Sequence, residues 1–467
     1  MNQSEIKTNK GALLVLVMVY GSIFTVLIFS FLGFVVTQSQ VQEHVSQKEK
    51  ALTIAEAGLN YYKWYLAHNP GDVTHGTTTS GPYILPYADP ESSDIGAFSL
   101  DIAGSTYCGE VQSIEINSTG YTYDKPNLTR TVFGRYSRPT VAEYAYIINS
   151  NVWAGEDRVI IGPYHSNGGI RMDGTNNSTV SSGQESWTCT SSFGCGWWPQ
   201  TVDGVFGDGP NNNLWEFPVA PINFTGLTVD LSNIEDKARN AGGTYIGSSG
   251  KQGYKIVFQN DGTYDLYKVR SKEKEPNGHA WGYYLNKVKN AKFMGNYDIP
   301  ESCPVIYVED TVWLEGEVNG KVTLAAADVS SSNDPSIIIN DNLTNTDSDS
   351  GLLAIAEYDV LIGFDVPDDM TVEGIFIAQE GHFGRNYYSE YDLPSSWDQY
   401  VKRNSLTING SIVSNGRVGT KWTCGGIYCS GFENRYNSYD RNLVLDPPPL
   451  TPYTSDDYHF VEWREVE

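Results

Sequence analysis

The sequence predicts an α+β protein. A long N-terminal helix, apolar first and amphipathic after, is expected to pack on a small antiparallel meander, with a large all-β module following. Three observations carry this expectation. Gly11 to Val36 form a run of 26 residues without charge, and a helical pattern continues from it to His68. Residues 97–137 alternate apolar and polar positions between turn residues. From about residue 138, short Val- and Ile-rich runs recur, each closed by a glycine.

A bilayer core needs about 20 apolar residues of helix, so Gly11–Val36 is long enough to span one. A secretory signal carries a shorter apolar region with a small-residue cleavage site behind it. Here the polar TQSQVQEHVSQKEK follows instead. Lys7 and Lys10 against Glu5 place the short N-terminal arm in the cytoplasm and everything beyond about residue 37 outside. Val41, Val45, Lys48, Leu52, Ala55, Leu59, Tyr62 and Leu66 then follow steps of four and three, a single helical stripe. Gly58 costs that helix about 1 kcal/mol. His68-Asn69-Pro70-Gly71 should end it, because proline disfavours helix at the residue before it. A helix over 12–68 would be roughly 85 Å long, and only its first half fits a membrane. The second half is expected to form a coiled-coil stalk or to pack on the chain's own β domain.

FSLDI, VQSIEINSTGYTY and TRTVFGRY predict three antiparallel strands within a domain over 69–137. In the module, four runs superpose: Val159–Gly162, Val312–Gly316, Met370–Gly374 and Leu406–Gly410. The first and last lead into Ser-Asn-Gly (166–168, 414–416) and then Trp-Thr-Cys (187–189, 422–424). Such recurrence predicts stacked rungs, a parallel β-helix (solenoid) over 138–450. The irregular spacing leaves a β-sandwich as the alternative. Residues 226–295 read as an insertion, a short helix and then a hairpin with Asn-Asp-Gly at its turn. In the tail, 451–467, Phe460, Val461 and Trp463 suit a segment that docks back on the body.

The chain has 31 basic and 56 acidic residues, a formal charge of -25. That balance disfavours nucleic acid as a partner, since phosphates call for a basic face, and suits an extracellular surface. Six cysteines lie at 108, 189, 195, 303, 424 and 429. Outside the membrane an even count permits disulfides. The close pairs Cys189/Cys195 and Cys424/Cys429 would close small loops worth about 2 kcal/mol each, with Cys108 and Cys303 left over. A zinc site is the competing use of the two close pairs.

No catalytic motif stands out. The seven histidines are dispersed, without H-x-H or H-E-x-x-H spacing. His165 invites attention as a base, yet Val413 takes its place in the repeat near residue 410, so a turn residue is the expectation. No cofactor is expected. Asp261 and Asp265 in NDGTYD, and the Asp/Asn/Ser-rich stretch 330–351, faintly suggest calcium, but lack the spacing of a calcium loop. Trp197-Trp198 and Tyr387-Tyr388 are aromatic pairs that could stack on sugars or simply pack.

Lys10-Gly11 followed by Ala12-Leu13-Leu14, an apolar helix, an amphipathic continuation with Ala55-Glu56-Ala57-Gly58-Leu59 and then a β domain resemble the type IV pilin plan. The nearest likeness is to PilX-like minor pilins, over about the first 70 residues and more weakly to 137. The resemblance implies a prepilin cut between Gly11 and Ala12, with residues 1–11 as leader. It implies that helices 12–68 of neighbouring subunits pack as a filament core, with pilus assembly machinery as a further partner. Two positions depart from the pattern. Leu16 stands where major pilins carry glutamate as the fifth mature residue, and Ala12 replaces the usual aromatic first residue. A carboxylate in an apolar core is expensive unless paired. Leu16 avoids that cost but removes the group that neutralises a neighbour's new amino terminus, a lack shared with some minor, tip-type pilins. In texture the module is similar to β-solenoid surface modules of bacterial cell-envelope proteins.

The implied role is non-enzymatic: a membrane or pilus-borne surface subunit presenting its module for adhesion or assembly, toward a glycan or protein ligand. Two other roles fit the same residues. One is a membrane-anchored polysaccharide-acting β-helix enzyme, which needs two acids about 5 to 10 Å apart. The other is a structural envelope-layer protein.

Overall fold

The computed structural model describes residues 10–69, 71–78, 81–89, 93–224, 231–274, 285–331 and 333–466. Residues 1–9 of the expected leader, and 226–230 and 275–284 of the expected insertion, lie outside them. The chain divides into two compact units. The first comprises Met1–Ala103, Glu115–Arg135 and Glu462–Glu467, the second Gly104–Ile114 and Tyr136–Val461.

In the first unit, α1 (Lys10–His68) runs unbroken for 59 residues. Every residue from Gly11 to Ser46 is exposed. The buried stripe begins only at Gln47 and continues through Ala51, Ile54, Ala55, Leu59, Tyr62 and Leu66. Val41 and Val45, expected in the stripe, are 54% and 53% exposed, and Lys48 is exposed as well. The sheet that covers α1 reaches back only to Gln47, whose Oε1 accepts a hydrogen bond from Thr122 Oγ1 at 2.7 Å. Burial of Ile54, Leu59 and Leu66 is worth about 1.5–3 kcal/mol each.

The strands are β1 (Tyr83–Ala88), β2 (Asp94–Tyr107), β3 (Glu110–Thr122) and β4 (Arg130–Ser137). With the C-terminal strand His459–Val466 they form a five-stranded sheet in the order β1–β2–β3–β4–C-terminal strand. β1 lacks a clear sequence signature because Pro86 interrupts it; proline is tolerated at a sheet edge, where β1 lies. At the opposite edge, Glu465 and Glu462 reach Arg130 and Arg135.

Glycine sets how closely α1 lies on the sheet. A Cβ on Gly120 of β3 would stand 2.2 Å from Ala51 O and 2.4 Å from Ala55 N. A Cβ on Gly58 of α1 would stand 2.2 Å from Ser118 Oγ and 2.9 Å from the Phe98 ring. The glycine that weakens the helix in isolation is therefore required where helix and sheet touch. Past His68 the chain turns on Asp72, which accepts from Tyr65 Oη (2.6 Å), Thr74 N (2.7 Å) and Gly76 N (2.8 Å). Burial works against its ionised form, but the hydrogen bonds from Tyr65, Thr74 and Gly76 prevail and hold its pKa down at about 2.

The second unit is mostly β, with one sheet of 21 strands among the described residues. Its pairings are mixed. Parallel ladders run through most of it, and antiparallel hairpins occur at Gly253–Phe258 with Thr263–Lys272 and at Lys421–Cys424 with Ile427–Ser438. Along one parallel ladder Ile306, Leu324, Ala354, Phe376 and Ile412 stand in register, continued by Tyr146, Tyr164 and Val180. All eight are buried in a single hydrophobic cluster. The chain enters this ladder in mid-stack at Tyr146–Ile148, runs to one end, and returns from the other until Lys402–Ser414 pairs with its starting strand.

Strands Val305–Val308, Lys321–Ala326 and Gly351–Ala356 are buried on both faces. The helix Leu231–Asn240 packs on the second face of Val305–Val308, and the segment around Leu443–Leu450 lies against Lys321–Ala326 and Gly351–Ala356; Leu231, Ile234, Ala238 and Leu443 join Tyr307, Ala325 and Ile355 in one cluster. That explains why these strands read as continuous apolar runs without alternation.

Two of the recurring units superpose in space as in sequence: Met370–Gly374 pairs with Leu406–Gly410 residue for residue. Val312–Gly316 does not, because Gly316 is in register with Leu343, which pairs with Val372. The glycines of all four units have positive φ, from +111° to +138°, a region open to glycine at little cost. The expected insertion is only partly one. Thr244–Ile246 and Gly253–Phe258 pair in parallel with Val305–Val308 and Val312–Val318, so they belong to the ladders. Thr263–Lys272 and Val288–Asp298 form an antiparallel pair beside them.

Gly120→Ala forces a methyl group into the backbone of α1 and is expected to destabilise the first unit by about 1–3 kcal/mol. Gly33→Ala meets nothing within 4 Å and should leave stability unchanged or slightly raised. Thermal melts of the detergent-solubilised protein, followed by circular dichroism, compare the two. Equal effects would contradict the close packing.

Candidate functional site

Two features set this chain apart physically. The first is the bare half of α1. Among the described residues one helix is long and apolar enough to cross a membrane, and none of its most apolar window is buried. Gly11 and Ala12, the expected processing step, lie exposed in its first turns, and Leu16 is 55% exposed.

The second is a cleft of about 1030 Å³ in the β module. All six cysteines are paired, as Cys108–Cys303, Cys189–Cys195 and Cys424–Cys429, which leaves none for zinc. The two short loops closed by the latter pairs border the cleft through Ser191 and Ser192 and through Gly426, with Trp422 and Thr423 just ahead of the second loop. The recurrence of Trp-Thr-Cys in sequence thus marks two walls of one depression.

Trp153 and Arg171 occupy facing positions of a parallel pair. That register lays the guanidinium on the indole, 4.6 Å from its ring centre. Asp173 Oδ2 then accepts from both Trp153 Nε1 (2.7 Å) and Arg171 Nε (2.8 Å). Across the cleft Trp422 Nε1 donates to Arg385 O at 3.1 Å, and its ring meets Tyr387 edge-on.

Arg435 stands in register with Leu406 above and Arg158 below, a column that begins with Met370. A cation in an inward-facing column needs a carboxylate. Asp157 supplies it, accepting from Arg435 Nη2 at 2.8 Å and lying 3.2 Å from Lys421 Nζ. Burial raises the Asp157 pKa, but Arg435 and Lys421 outweigh it and hold the group below the ordinary carboxylate value. Burial also pushes the Arg435 guanidinium down to about 10. Arg417 is exposed over the Phe193 ring, 4.4 Å from its centre, and among the described residues makes no hydrogen bond or ion pair.

His165 lies in the strand Tyr164–Ser166 and not in a turn. It continues the column of Val413 and Ile147, which is why valine replaces it in the repeat. Its ring is held between Ser181 Oγ (3.0 Å) and Asn167 Oδ1 (2.9 Å). Burial lowers its pKa, against the Asn167 hydrogen bond. Asn415, Asn149 and Asn167 pass side-chain hydrogen bonds along the neighbouring turns, each 2.9 Å.

The carboxylates that suggested calcium are engaged locally. Asp261 accepts from Thr263, Asp265 from Asn296, and Asp347 from Ser350. Among the described residues no group of three or more His, Cys, Asp or Glu converges to hold a metal ion. Trp197 and Trp198 are 91% and 78% exposed, so packing beside the disulfide does not account for them. Tyr388 is buried against Phe364. The sequence marked the two cysteine loops but not Trp153, Arg171, Arg417 or Arg435. For Arg435 the usable signal was arginine at an inward strand position, which becomes visible only once register is known.

No family model matches the chain, and no curated protein matches it. Among solved structures, the competence-associated pilin ComZ from Thermus thermophilus is similar at 14% identity and a TM-score of 0.30, over 90% of this chain and 97% of that one.

A buried, neutral His165 opposes protonation. Its folded pKa lies below its ordinary value of about 6.5, so its contribution is complete above about pH 6.5 and is lost as pH falls below it. Denaturation midpoints of the wild type should drop between about pH 7 and about pH 5, and His165→Gln should flatten that slope. An unchanged slope would place the titration elsewhere.

Proposed function

We propose that this chain is a minor-pilin-like, non-enzymatic subunit of a type IV pilus-like assembly that carries a parallel β-helix to the cell surface. The observation that carries the reading is α1, bare and apolar over its first half and packed on its own sheet over its second. A continuous apolar surface of that extent needs lipid or like helices around it. The bilayer serves before assembly and a bundle of neighbouring helices after it. A cut between Gly11 and Ala12 would free the helix for the second setting. Leu16 favours a minor subunit over bulk filament material.

The β-helix reading rests on the in-register columns of the parallel ladders, whereas a sandwich pairs its strands antiparallel. The module lies on the extracellular side when the N-terminus is cytoplasmic, and its disulfides suit that compartment. The non-enzymatic reading draws support from the cleft, where Asp157 is held ionised between two cations, and from His165, fixed in a polar ladder. Adhesion or assembly contacts are the role left to the module.

Mass spectrometry of protein sheared from cells should give a mature N-terminus at Ala12. A Gly11→Glu variant should remain uncut in the membrane fraction. An intact Met1 in the sheared fraction, or a cut beyond Val36, would defeat the proposal.

A further inference from the structure

We propose that the cleft between the two disulfide-closed loops binds an acidic saccharide through one isolated carboxylate and the apolar face of a sugar ring. The proposal deepens the reading of the module as the presented part, and depends on that reading only for where the ligand is met.

Two indoles face the cleft, and each already has its N–H engaged, Trp153 with Asp173 and Trp422 with the Arg385 carbonyl. What remains to a ligand is ring face, the surface that stacks on the C–H side of a pyranose. Each is braced by a neighbour, Trp153 by the Arg171 guanidinium over its ring and Trp422 by Tyr387 edge-on. The loops beside them are closed by Cys189–Cys195 and Cys424–Cys429. Little ordering cost is left to the binding step.

The charges then choose the sugar. In a chain with 31 basic against 56 acidic residues, Arg171, Arg417, Lys421 and Arg435 all line this one depression. Arg171 is paired with Asp173, while Lys421 and Arg435 share Asp157. Arg417, whose pKa is lowered by desolvation against the pull of Tyr164, makes no hydrogen bond or ion pair among the described residues, and its partly desolvated guanidinium fork has the geometry that takes a carboxylate in bidentate fashion. Glu156 and Glu380 also line the cleft and are exposed. They offer acceptors to sugar hydroxyls and repel a dense polyanion, which narrows the ligand to one with a single, isolated acid group. A peptide fits less well. Among the described lining residues Val418 is the one aliphatic side chain, and it is 8% exposed, so no pocket receives an apolar side chain.

The test uses the full, disulfide-intact chain in detergent, with tryptophan fluorescence and calorimetry as readouts. The probes are short oligosaccharides bearing galacturonic, glucuronic or sialic acid, their neutral counterparts, and an acidic peptide. At least one acidic oligosaccharide should bind saturably, about tenfold or more tighter than its neutral counterpart. Arg417→Gln should erase that difference, and Trp422→Ala should weaken acidic and neutral sugars alike, both with unchanged circular dichroism. Absence of saturable binding by every acidic sugar would overturn the proposal. So would equal affinity for acidic and neutral sugars, an Arg417→Gln variant with wild-type preference, or tighter binding of the peptide. None of these outcomes bears on the N-terminus at Ala12, so this proposal and the pilus reading fail separately.

Discussion

The first unit depends on a contact in which one partner has no side chain. Gly120 lies beneath the backbone of Ala51 and Ala55, and Gly58 lies over Ser118 and Phe98. This lets the second half of α1 settle on the sheet at backbone distance, with Ile54, Leu59, Tyr62 and Leu66 filling the interface. The apolar half is an unbroken continuation of the same helix. A flexible joint near Thr37 would leave the apolar segment as a mere anchor. An unbroken helix makes it continuous with the part that packs on the sheet.

The module obeys a different constraint, register. Columns of like residues pass from strand to strand, so a single position is judged by what stands above and below it. Val413, Ile147 and His165 share one column, and a histidine there is tolerated because Ser181 and Asn167 satisfy its ring. Met370, Leu406, Arg435 and Arg158 share another. Its polar end is stabilised by Asp157, and that same pairing puts charge on the cleft. The cleft is thus a product of where an apolar column stops.

Much of this was legible in the residues. The end of α1 at His68 follows from the proline two positions on, and three strands of the first sheet follow from their alternation. Met370–Gly374 and Leu406–Gly410 could be aligned by eye because both kept their glycine at the same bend. What failed did so for physical reasons. Periodicity extends the stripe back to Val41 and Val45 because it says which face is apolar, not where its partner ends. Gly316 recurs with the same local chemistry at a different register, which sequence spacing does not encode. The cleft was hidden because its three arginines, Arg171, Arg417 and Arg435, come from three separate segments and gain meaning only from their neighbours across strands.

The claim at the centre of this account is that α1 is one continuous helix in two environments. Site-directed spin labelling along residues 13–66 of the full chain in lipid vesicles tests it directly, reading oxygen and water-soluble relaxant accessibility at each site. The expected result is accessibility to oxygen over Leu13–Val36, water access over Val41–Ser46, and alternation in steps of three and four from Gln47 onward. The helical period should run without interruption through Thr37–Ser46. Loss of that period between Thr37 and Gln47, or burial of Leu13–Val36 away from lipid, would contradict it.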